Sequence, residues 1–123
     1  MSLNYHNYDA LSFDCYGTLI DWESGIWSAF QPLIDANSNL QVDQQQVLAE
    51  FAEFENQIQS DHPDMSYPDV LSSVHNRFAL THGLVTTGVR DATFGESVGQ
   101  WPAFPDSAEA LAHLKKRYKL VIL

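Results

Sequence analysis

Residues 13–19 read Phe13-Asp14-Cys15-Tyr16-Gly17-Thr18-Leu19, an apolar approach, one carboxylate and a turn. A carboxylate is ionised at neutral pH and is therefore a usable nucleophile. Backbone N–H groups in a turn behind it can orient it and offset negative charge on a substrate. The competing reading is an aspartate that ends a strand by accepting turn amides. Cys15 points away from Asp14 by strand alternation and reads as an apolar filler. Trp22, just past the turn, is a candidate for lining a substrate cavity and equally for packing. Other chemistries find less support. His6, His62, His75, His82 and His113 never stand four apart, and one cysteine cannot build a structural zinc site, so the histidines read as surface residues and no metal is expected. No phosphate-binding glycine loop, Gly-x-Ser-x-Gly elbow or nucleotide fingerprint occurs.

The positioning elements are short and mostly helical. Residues 9–13 read as a strand ending near Asp14, with Gly17 supplying the turn. Ile26, Trp27, Phe30, Leu33 and Ile34 predict a helix from Glu23 to about Asn37, which Pro32 is expected to kink or split. A second helix starts at Asp43 as N-cap and carries Val47, Leu48, Phe51, Phe54 and Ile58 opposite an acidic face. Ser60 to Asp64 reads as a loop, Tyr67 to Leu80 as a third helix closed by Gly83, and Val89 to Val98 as a short helix. After a Trp101–Asp106 hinge, Asp106 and Glu109 form a capping-box pair for a helix over Ser107–Arg117, whose basic last turn suits its dipole. Tyr118 to Leu123 then reads as a strand buried on both faces. Such a strand needs neighbours, and two parallel strands do not make a stable sheet. The expectation is therefore the N-terminal portion of a longer protein.

The 123 residues are 45% hydrophobic, enough for one domain with a core. The net charge of -10 repels phosphate backbones, which excludes nucleic acid as a partner. Twelve acidic residues against Arg77 and Arg90 between positions 21 and 100 carry that charge, and read as a solvated helical surface. With a single Cys15, no leader pattern and no apolar run near the ~20 residues of a membrane span, the expected setting is cytoplasmic, with no membrane partner.

Residues 11–25 resemble the first motif of the haloacid dehalogenase (HAD) superfamily, in which a strand ends in an aspartate nucleophile followed by an aromatic or acidic residue, glycine, threonine and an apolar residue. Phe13, Asp14, Tyr16, Gly17, Thr18 and Leu19 fall in place. The helical stretch of about eighty residues resembles the family's inserted cap, and residues 101–123 its hinge, return helix and second strand. The resemblance implies an α/β fold: a HAD-like, Rossmann-like parallel sheet core, incomplete here, with an inserted α-helical cap. Core residues 1–20 and 101–123 would flank cap residues 21–100.

Position 16 separates branches. The family's phosphatases carry a second aspartate there as general acid for a poor alkoxide leaving group, and use magnesium. The phenol of Tyr16, with a reference pKa near ~10, is a weaker acid. Halide needs no proton to leave. Asp-x-Tyr-Gly-Thr is similar to the 2-haloacid dehalogenase branch, which implies Asp14 and Thr18 as catalytic, Tyr16 and Trp22 as substrate-binding, no cofactor, and a small 2-halo acid as substrate. A homodimer is the candidate assembly. The family's later serine or threonine, lysine and acidic or asparagine residues are not in the sequence, so the chain by itself is expected to be inactive. The arginine that this branch uses for halide has no counterpart in Glu50–Gln59; Arg77 or Arg90 could substitute for it spatially, and otherwise each reads as an ordinary surface or ion-paired residue. The alternatives are a magnesium-dependent small-molecule phosphatase and a non-catalytic structural module.

Overall fold

The computed structural model describes residues 2–123. In chain order the elements are β1 (Ala10–Phe13), α1 (Trp22–Ala36), α2 (Gln44–Asp61), α3 (Tyr67–Thr81), α4 (Gly88–Glu96), α5 (Ser107–Leu114) and β2 (Lys119–Ile122), with 3-10 turns at Tyr5–Asn7 and Ser97–Gln100. They form two compact units, Met1–Trp22 with Pro102–Leu123, and Glu23–Trp101. No helix among the described residues is long and apolar enough to cross a membrane.

In the first unit β1 and β2 pair in parallel, Ala10 opposite Lys119 and Phe13 opposite Ile122. Leu11 and Phe13 are half-buried and alternate with exposed Ala10 and Ser12, as a pleated strand with one covered face requires. β2 departs from expectation. Val121 and Ile122 are 48% and 49% exposed rather than buried, because cover on both faces needs layers on both sides and the described residues of this unit hold one α-helix, α5. The capping box also does not form. Asp106 has helical angles (φ -95°, ψ -9°) and makes no side-chain cap bond, whereas an N-cap side chain reaches its amides from an extended backbone. Ser107 instead donates its hydroxyl to the Leu19 carbonyl at 2.7 Å, and the Phe104 amide donates to the same oxygen at 3.0 Å. These bonds fasten the start of α5 to the turn after β1. Helix α5 ends at Leu114, so Lys116 and Arg117 lie beyond it in turns.

The second unit is a helical cluster with a largely apolar interior. Ile26, Phe30 and Leu33 of α1, Val47 and Phe51 of α2, and Leu71, Val74 and Phe78 of α3 are at most 1% exposed. Their spacing of three and four residues puts each set on one helical face. Asp43 caps α2 by accepting from the Gln46 amide at 2.8 Å, and Ser66 caps α3 by accepting from Asp69. Gly83, at φ +64°, follows α3 in the left-handed conformation that ends helices. Helix α1 is not split at Pro32: the proline is exposed, the Ser28 carbonyl that loses its amide lies on an exposed residue, and Gln31 donates to the Trp27 carbonyl at 3.1 Å. Helices α3 and α4 approach closely at Gly95, where an added Cβ would stand 2.4 Å from the Pro68 carbonyl oxygen.

Candidate active site

Asp14 follows the last residue of β1, is exposed, and accepts a hydrogen bond on Oδ2 from the Thr18 hydroxyl at 2.9 Å. The turn that brings Thr18 back is built on one acceptor: the Cys15 carbonyl takes the amides of Thr18, Leu19 and Ile20 at 3.2, 2.8 and 3.1 Å. That curl requires Gly17 at φ +89°, a region costly for any residue with a Cβ. The Gly17 amide donates to the Ile20 carbonyl at 2.9 Å and closes the loop. The local order Asp-x-x-Gly-Thr thus places a donor next to the carboxylate that ends the strand.

The other expected residues lie on the same loop. Trp22 opens α1, and its indole Nε1 is 3.5 Å from where a Cβ on Gly17 would stand, so the ring lies beside the turn. Tyr16 is 46% exposed and its backbone bridges to Ile20. Three cavities, of about 500, 480 and 180 Å³, are formed by residues elsewhere in the chain, and Asp14 lines none of the three. Arg77 donates to Gln57 at 3.1 Å and sits 6.0 Å from the Phe54 ring centroid, while Arg90 is exposed.

The histidines are not all surface residues, which corrects the reading from spacing. His82 meets Glu50 at 2.5 Å. His75 is 2% exposed, with Nδ1 2.6 Å from Asp91 Oδ1. Asp91 also accepts from Thr86 Oγ1 at 2.8 Å and Asn76 Nδ2 at 3.0 Å. Burial pushes His75 below its ordinary proton affinity, against the hydrogen bond and charge of Asp91. Burial pushes Asp91 up, but the bonds from His75, Thr86 and Asn76 outweigh it and leave that carboxyl below its usual range. A signal was present: Leu71, His75, Phe78 and His82 repeat at steps of four, three and four on the apolar face of α3.

No family model matches the chain, and no curated protein matches it in sequence. Solved structures do. One described as a dehalogenase matches 94% of this chain and 50% of its own length with a TM-score of 0.71 at 18% identity. A second, a magnesium-bound structure of YfnB from Bacillus subtilis described as a HAD-hydrolase, matches 94% of this chain and 52% of its own length with a TM-score of 0.66 at 14% identity. The chain spans about half the length of either structure. At such identities the likeness is one of fold, and the fold of this chain is that of the haloacid-dehalogenase-like hydrolases, in part.

Proposed function

We propose that residues 1–123 carry the nucleophile of a HAD-like hydrolase, that Asp14 is that nucleophile, and that turnover needs a longer polypeptide than this one. One observation supports the assignment above all: Asp14 directly follows β1, faces solvent, and is held through Oδ2 alone by Thr18. Its Oδ1 is left for attack. The need for more chain is supported by the strand-bearing unit, where no apolar side chain among the described residues is buried, and by the half-length match.

The chemistry proposed is displacement of halide from a small 2-halo acid. Oδ1 of Asp14 forms a bond to the α-carbon as the carbon–halogen bond breaks, and halide departs with the bonding pair. Water then adds to Cγ of the resulting ester. The Cγ–O bond to substrate breaks, one water proton goes to the product hydroxyl and the other to solvent, and the carboxylate returns. The Thr18 hydroxyl fixes the carboxylate plane in the first step and offsets charge on Oδ2 in the second. Tyr16, where a phosphatase would hold an acid, suits a leaving group that needs no proton.

A second reading, a magnesium-dependent phosphatase, draws on the magnesium of the YfnB structure. Magnesium takes several oxygen ligands; in that reading the Asp14 carboxylate would supply one, and the others would come from the rest of the longer polypeptide. In the longer hydrolase, Asp14→Asn is expected to abolish halide release from a 2-halo acid while circular dichroism stays unchanged. Halide release retained by that variant refutes the nucleophile, and magnesium-dependent phosphate release with no halide selects the phosphatase.

A further inference from the structure

Within the helical unit, a half-enclosed cleft of about 180 Å³ is lined by Ala29, Pro32 and Leu33 of α1, His75 of α3, Arg90, Thr93 and Phe94 of α4, and Ser97 just beyond it. Its volume is close to the roughly 150 Å³ of an apolar cavity that takes one aromatic ring. The lining is mostly hydrocarbon. What marks it as a site is the histidine. Nδ1 lies 2.6 Å from the Asp91 carboxylate, which as an ionised group only accepts, so Nδ1 is the donor of that pair; burial lowers the proton affinity of the ring, which favours the neutral form with Nε2 as an acceptor.

The hydrogen bonds of His75 do not include one at Nε2, yet no buried side-chain nitrogen or oxygen among the described residues lacks a partner. Nε2 therefore keeps a small accessible surface, and His75, 2% exposed overall, is one of the residues that line this cleft. The ring is held in place. The ring is stacked 5.7 Å from Phe30 and lies 4.8 Å from Phe94, and Asp91 is itself held by Thr86 and Asn76. A tie between α3 and α4 would account for the His75–Asp91 pair, but not for an accessible ring nitrogen on a residue that lines a cleft. Ligand sites are mostly apolar with a few placed polar groups, here His75 with Thr93, Ser97 and Arg90 around the hydrocarbon of Ala29, Pro32, Leu33 and Phe94.

We propose that this cleft is a binding site for a small, mostly apolar molecule bearing one hydroxyl, such as a phenol or a short alcohol, whose O–H donates to Nε2 of His75. The Asp91 carboxylate acts as a positioning group that sets the tautomer. The site belongs to the helical unit and does not depend on Asp14 being a nucleophile.

The test uses phenol and its methyl ether, anisole, which has the same ring and no donor. The 15N shift of His75 Nε2 in the 123-residue chain is expected to move and saturate with millimolar phenol, and anisole to bind about tenfold more weakly, the worth of one hydrogen bond. Ala29→Leu, which fills the cleft and leaves the His75–Asp91 pair intact, is expected to remove the phenol response. Equal binding of phenol and anisole, no saturable change at His75, or an unchanged response in Ala29→Leu would each overturn the site. The first two outcomes are read on the unmodified chain, so a poorly folded variant does not shelter the proposal.

Discussion

Gly17 is the residue on which the geometry at Asp14 turns. At φ +89° a side chain costs about 1–2 kcal/mol, and the loop that returns Thr18 to the carboxylate has no room to relax without losing amides from the Cys15 carbonyl. In the longer hydrolase, where the sheet has its further strands and cover, Gly17→Ala should therefore lower stability by that amount in urea denaturation; an unchanged midpoint would show that the curl is not needed. Thr18→Val keeps the shape and removes the donor. In the longer hydrolase it should lower kcat about tenfold with KM little changed, and Thr18→Ser should recover most of the loss, which separates a hydrogen bond from packing. His75 and Asp91 make a different prediction. Both bind protons less readily folded than unfolded, so the unfolded chain takes up protons first and acid favours it. Stability from His75 should decline as pH falls from its ordinary 6.5 toward its lowered value, and that from Asp91 as pH falls from 3.8 through its own. A midpoint of urea unfolding that stays flat between pH 7 and 5 in wild type, matching His75→Phe, would contradict the buried neutral histidine.

At the scale of elements, α3 and α4 are joined by a close approach as well as by that pair. A Cβ on Gly95 would stand 2.3 Å from Ser72 Oγ and 2.4 Å from a backbone oxygen that cannot swing away. Gly95→Ala should force the helices apart and cost about 1–3 kcal/mol, read as a lower melting temperature, although alanine is the better helix former. The helices were the most legible part of the sequence. α2 and α3 announce themselves because their apolar residues repeat at helical steps over fifteen or more positions, and Asp43 is an N-cap that behaves as one. The capping box at Asp106 was misleading because the Leu19 carbonyl, 88 positions away, engages Ser107 and the backbone at Asp106 stays helical. Pro32 failed to split α1 because the carbonyl it orphans lies on an exposed residue. The link between His75 and Asp91 spans sixteen residues and two helices, and no local rule reports a partner at that distance. Asp14 and Thr18, by contrast, lie four apart in one turn, and that is why their pairing can be anticipated from the sequence.

Across the whole molecule, apolar burial is unevenly shared. Every buried apolar side chain among the described residues belongs to Glu23–Trp101, and the two-stranded sheet leaves Val121 and Ile122 about half exposed. A short parallel pair is marginal without more strands or cover. Hydrogen exchange on the 123-residue chain should therefore show amides of β1 and β2 exchanging much faster than those of α3; equal protection would mean that the sheet is stable as it stands. The uninterrupted apolar run of β2 was readable as strand, but its burial was not, since burial depends on layers that a local pattern does not contain. The covalent role of Asp14 is tested most directly by one turnover in oxygen-18 water, with the longer hydrolase in excess over a 2-halo acid. Water adds to Cγ of Asp14 in the proposed route, so mass spectrometry should find the heavy oxygen in the peptide carrying Asp14 and the ordinary one in the product hydroxyl. Heavy oxygen in the product after that single turnover, with the peptide unlabelled, would contradict it.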